Sequence, residues 1–113
     1  MLNRLIAIML LGAVLAAVAA ENRPFRLPPG TVVTDTDERG GSWQENCVLA
    51  MSETATRKQL VQCLTAAHWK LDICVPPSVK GGATLMQWRR GKCKLIIMVW
   101  RIDYGKTGFS WGM

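Results

Sequence analysis

His68 and Asp72 stand four residues apart, the spacing at which an imidazole and a carboxylate meet on one face of a helix. A base oriented in that way activates a serine or cysteine for acyl transfer. His68 is the single histidine of the chain, no serine lies in a G-x-S-x-G turn, and the cysteines have a better use, so the pair reads as a helix-surface feature. Glycoside hydrolysis needs two carboxylates about 5–10 Å apart across a cleft. Glu45, Glu53, Asp72 and Asp103 instead fall on separate segments, as caps, a surface pair and strand-end charges. Neither G-x-x-x-x-G-K-[ST] nor G-x-G-x-x-G occurs, and Gly81-Gly82 does not extend into a phosphate loop. The residues describe a non-enzymatic protein with no cofactor and no metal.

Cys47, Cys63, Cys74 and Cys93 are too widely spaced for the C-x-x-C pairs of zinc or redox sites. An even number in a short exported chain reads as a disulfide framework, each bridge contributing about 2–4 kcal/mol. Joining Cys47 to Cys63 and Cys74 to Cys93 would clip a pair of helices; joining Cys47 to Cys74 and Cys63 to Cys93 would tie helices to a strand.

The strongest constellation is Trp88-Arg89-Arg90-Gly91-Lys92-Cys93-Lys94. Folded as a hairpin, it gathers four cations at one tip, with Trp88 beside them and Trp100 further along the partner strand. Guanidinium and ammonium groups bind phosphate, and indole rings favour the membrane interface. Trp88, Arg89, Arg90, Lys92, Lys94 and Trp100 are therefore the candidate contact residues. Their expected partner is an unidentified protein or an anionic envelope component, reached with or without peripheral membrane contact. Nucleic acid is not the expected partner, because export separates the chain from it.

These residues must be positioned by elements read from periodicity. Ser42-Trp43-Gln44-Glu45 matches a capping box, and Trp43, Cys47, Val48 and Met51 then share a helical face. Ser52-Glu53 caps a second helix bearing Leu60, Leu64, Ala67 and Leu71, with Glu53 and Arg57 as an i,i+4 pair, until Val75-Pro76-Pro77 ends it. Residues 43–71 thus form a helical hairpin. Beyond Gly81-Gly82 the period becomes two: residues 83–88 and 92–104 are extended runs, and residues 109–111 supply a third. Cys93, Leu95, Ile97 and Val99 face one way while Ile96, Met98, Trp100 and Ile102 face the other, the mark of a central strand or one covered on both sides. The expected fold is α+β, a helical hairpin packed on a three-stranded antiparallel meander and stabilised by disulfides.

Residues 1–20 carry a basic start, an uncharged apolar run over residues 5–20 and Val18-Ala19-Ala20 at the end, which reads as a signal peptide cleaved after Ala20. The run is short of the roughly 20 residues a membrane span needs. A Pro- and Gly-rich arm (residues 21–41) follows, with an edge strand at Thr31-Val32-Val33-Thr34, and then the domain (residues 42–113). The chain has 113 residues and a net charge of +6, from 14 Lys and Arg against 8 Asp and Glu. The excess lies in residues 81–113, where Arg89, Arg90, Lys92, Lys94, Arg101 and Lys106 meet Asp103 alone. The resulting expectation is a small secreted or periplasmic binding or accessory protein. Its competitor is a membrane-active cationic effector.

Overall fold

The computed structural model describes residues 23–39 and 42–113; the expected signal peptide lies outside them. Six strands and one helix follow in the order β1 (Val32–Arg39), β2 (Ser42–Leu49), α1 (Glu53–Ala66), β3 (Lys70–Val75), β4 (Thr84–Arg90), β5 (Cys93–Asp103) and β6 (Lys106–Gly112). The strands form one antiparallel sheet in the order β1-β2-β6-β5-β4-β3. Helix α1 carries the chain from β2, near one edge, to β3 at the other, packing over β5 and β6 on the inner face.

This architecture overturns the helical hairpin on a three-stranded meander. The segment read as the first helix is β2. Its buried residues Glu45, Cys47 and Leu49 recur every second position, and Trp43 and Cys47, four apart, share a strand face as readily as a helix face. Glu45 looked like a capping residue because a charge interrupts the apolar alternation. Its carboxylate is instead buried against residues of other elements.

The helix beginning at Ser52 does form. Ser52 is extended, and its Oγ accepts the Ala55 N–H at 3.2 Å. Leu60 and Leu64 are fully buried, each contributing about 1.5–3 kcal/mol by leaving water. The helix stops at Ala66 rather than running to Leu71. The His68 N–H reaches Thr65 O and the Trp69 N–H reaches Leu64 O, both at 3.0 Å, closing a Schellman turn. The left-handed position in that turn, usually glycine, is His68 with φ 67°. Leu71 therefore belongs to β3.

The meander residues became β4, β5 and β6. Alternation separated the two faces of β5 without distinguishing them, and the face of Leu95, Ile97 and Val99 is the inner one. Leu95, Ile97 and Val99 of β5, with Met86, Trp88, Phe109 and Trp111 on its neighbours, form the core with Leu60 and Leu64. The arm closes one side of this core: Phe25 is buried and meets Trp111 edge-on at 5.6 Å.

The disulfide framework is likewise corrected, since all four cysteines are free thiols. Cys47 faces the core from β2 and Cys74 lies on the edge strand β3, with β6, β5 and β4 between them. Four strand steps of about 4.8 Å separate the two strands by roughly 19 Å, whereas bridged Cα atoms lie within about 7 Å. Cys63 is on α1 and Cys93 begins β5 at the far end of its hairpin. Core burial, without bridges, holds the described domain together.

Candidate functional site

Arg90 and Cys93 are opposed across the β4–β5 turn, leaving Gly91-Lys92 as a two-residue connection with Gly91 at φ 60°. Positive φ at the first turn position suits glycine and matches the twist of the strands. The tight turn places Arg89 opposite Lys94, and the next pairing places Lys70 of β3 opposite Arg89. Paired residues share a face, so Lys70, Arg89 and Lys94 form a row of three cations across adjacent strands, on the sheet face away from α1. Like charges in register repel. One carboxylate offsets them: the register slips between Leu71 and Ile73, and Asp72 Oδ2 accepts from Arg89 Nε at 2.7 Å and Gln87 Nε2 at 3.0 Å. Lys70, Lys92 and Lys94 have no ion-pair partner among the described residues.

The other residues singled out from the sequence occupy different surroundings. Arg90 lies over the Trp69 indole, its guanidinium carbon 4.5 Å from the ring centroid, and donates to Ala67 O at 3.0 Å and Pro24 O at 3.3 Å. It neutralises the helix C-terminus and fastens the arm to the hairpin. Trp88 is 2% exposed and belongs to the core, its indole N–H buried without a partner. Trp100 is half-buried on the outer face and lies flat on β6, where a Cβ at Gly108 would come within 2.5 Å of its ring. The contact set therefore divides: Arg89, Lys92 and Lys94 are presented to solvent, Trp88 and Arg90 build the tip, and Trp100 stands lower on the same sheet face as Arg89 and Lys94.

Two apolar rows adjoin the cations. Ile73, Gln87, Ile96 and Gly112 are successive cross-strand neighbours, as are Val75, Leu85, Met98 and Ser110. Ile73, Val75, Ile96 and Met98 are all more than two-fifths exposed. Of the two alternatives, β5 is a central strand, between β6 and β4, and its second apolar face is open among the described residues.

His68, Lys70 and Asp72 were missed as site residues. In sequence, His68 and Asp72 read as a helix-surface pair apart from the basic turn; the β3–β4 pairing sets Lys70 opposite Arg89, and the slip at Asp72 brings its carboxylate to Arg89. Between these residues and the hairpin tip lies a cleft of about 410 Å³, lined by His68, Lys70, Leu71, Asp72 and residues 89–91.

A second cluster surrounds Glu45, which is 1% exposed. Its carboxylate accepts from Arg23 Nε and Nη2 at 2.7 and 2.9 Å, from Trp111 Nε1 at 3.0 Å and from Thr36 Oγ1 at 3.2 Å. The neighbouring Cys47 thiol is pushed up to about 12 by burial, reinforced by the Glu45 charge and partly opposed by Arg23. A thiol held neutral is no nucleophile, and the Glu45 oxygens are already engaged by four donors. This cluster locks the arm onto the sheet. The described residues contain no group of three or more His, Cys, Asp or Glu side chains placed to hold a metal, and no helix among them is long and apolar enough to cross a membrane.

Comparison with known protein families, curated proteins and solved structures finds no match to this chain.

Proposed function

We propose that this is a small exported, non-enzymatic binding protein that engages an anionic partner in the cell envelope through the basic end of its sheet. The observation that carries the reading is the register row of Lys70, Arg89 and Lys94, extended by Lys92 in the turn and backed by exposed apolar rows on the same face. Self-repulsion in such a row is relieved by an incoming anion, while the apolar rows supply area that water leaves on contact. Export rests on the signal-like first twenty residues.

The test is retention of the exported product on a cell-envelope fraction. Replacing Lys70, Lys92 and Lys94 together by glutamine removes three cations that have no internal ion-pair partner, so the fold should melt at an unchanged or slightly higher temperature while retention is lost. Retention equal to that of the unaltered protein overturns the proposal. The half-exposed Ile73, Val75, Ile96 and Met98 favour one second reading, a bilayer-disrupting effector. Dye release from anionic vesicles at low protein concentration would select it over binding alone.

A further inference from the structure

We infer that the cleft between the start of β3 and the β4–β5 tip is a site for the phosphate of an anionic membrane lipid, and that the basic end of the molecule faces the bilayer. This rests on the reading that the basic end is a contact surface, and gives that surface one partner.

Three features of the cleft point to a phosphate. Lys70, Arg89 and Arg90 are gathered there with the His68 imidazole, against the single carboxylate of Asp72. Asp72 is already held by Arg89 Nε at 2.7 Å and Gln87 at 3.0 Å, so Arg89 carries an internal anion in the place a phosphate oxygen would take. Arg90 is fixed by the Trp69 ring and two carbonyls, so that wall of the cleft is rigid before any ligand arrives. Pre-ordered donors lose less freedom on binding than mobile surface lysines.

The path of the chain selects a lipid over a soluble phosphate. The carbonyl of Pro24 accepts from both Trp69 Nε1 and Arg90 Nη1, so the arm enters the fold at the same end as the cleft. The uncharged apolar run of residues 5–20 is separated from Arg23 by Glu21 and Asn22 alone, three residue steps that span at most about 10 Å. Before cleavage, where that run is held in the membrane, the arm would bring the basic end of the sheet to the headgroup layer. Exposed Lys92 and Lys94 face the same layer, and anionic headgroups attract such residues.

The exported product is tested by co-sedimentation with vesicles of phosphatidylcholine alone and of phosphatidylcholine with one third phosphatidylglycerol. The ratio of the two partition coefficients cancels any headgroup-independent contribution of the apolar run. The ratio should fall about thirtyfold when Lys70 and Arg89 are both changed to glutamine, at roughly fivefold per cation. Asp72→Asn, which frees Arg89, should raise it severalfold. Changing Lys80 and Lys106, which lie outside the tip, to glutamine removes equal charge and should alter it far less. An equal loss with Lys80 and Lys106, or no gain with Asp72→Asn, overturns the cleft as the site. Binding of millimolar inorganic phosphate that is lost with Lys70 and Arg89, alongside a vesicle ratio near unity, overturns the lipid assignment in favour of free phosphate. A ratio near unity in the unaltered protein, together with charge-dependent retention on the envelope fraction, rejects the lipid and leaves the broader binding role standing.

Discussion

Arg23 and Glu45 form a two-point ion pair, Nε to Oε1 at 2.7 Å and Nη2 to Oε2 at 2.9 Å, that bolts the arm to β2. Glu45 is almost wholly inaccessible, while Arg23 is part-buried, with 17% of its side chain exposed. The carboxylate also raises the guanidinium's already high pKa, through their hydrogen bond and against the opposing effect of burial. Removing one partner from a buried pair leaves a charge uncompensated, at a cost of about 3–5 kcal/mol. Arg23→Met is therefore expected to lower the urea midpoint by a corresponding amount, and Arg23→Met with Glu45→Gln to recover much of it. Equal midpoints for the single and double variants would show that the charge of Glu45 is not what makes the pair matter.

Cysteine reactivity follows burial. Cys74 and Cys93 are exposed, Cys63 is half-buried with its thiol pushed up by burial, and Cys47 is pushed up to about 12. A neutral alkylating reagent at mildly alkaline pH should modify Cys74 and Cys93 first and reach Cys47 only on unfolding, as peptide mass spectrometry after brief labelling would show.

The same shift sets a pH dependence. The Cys47 pKa rises on folding from its ordinary value of 9.0 to about 12, so its neutral thiol supports the fold fully below pH 9, and that support is lost as pH rises towards 12. Urea midpoints should decline across this window and decline less in Cys47→Val. Parallel declines in both proteins would assign the alkaline loss to another group.

His68 occupies a left-handed turn position that costs a non-glycine residue about 1–2 kcal/mol. His68→Gly should raise stability by about 1 kcal/mol, read from thermal or urea unfolding. It should also weaken anionic-vesicle binding, since the imidazole lines the cleft. A more stable variant with unchanged binding would remove His68 from the site.

One face of β5 was legible in the residues because alternation survives burial: Leu95, Ile97 and Val99 were placed together from spacing alone, and Ser52 marked its helix start. The β4–β5 hairpin was legible from Gly91 within its basic turn. The β2 strand was not, because Glu45 looked like a cap, and its real partner, Arg23, lies 22 residues away. Nor was β3, whose six residues are all exposed and carry no alternation. The basic end was half visible for the same reason: Arg89, Lys92 and Lys94 are near in sequence, whereas Lys70 and Asp72 join them only through register. Four cysteines in a short chain suggested bridges, but all four thiols are free, and a sheet of six strands sets Cys47 and Cys74 four strands apart in one layer.

The most direct measurement is photo-crosslinking in cells that export the protein, with a photoreactive residue placed at Lys94 in one variant and at Lys80 in another. Lys94 lies in the basic row and Lys80 in the loop before β4. Adducts with one anionic envelope component from Lys94, and none of that kind from Lys80, are expected. Adducts from Lys80 alone, or no envelope adduct from Lys94 in the exported protein, would contradict a role for the basic end as the contact surface.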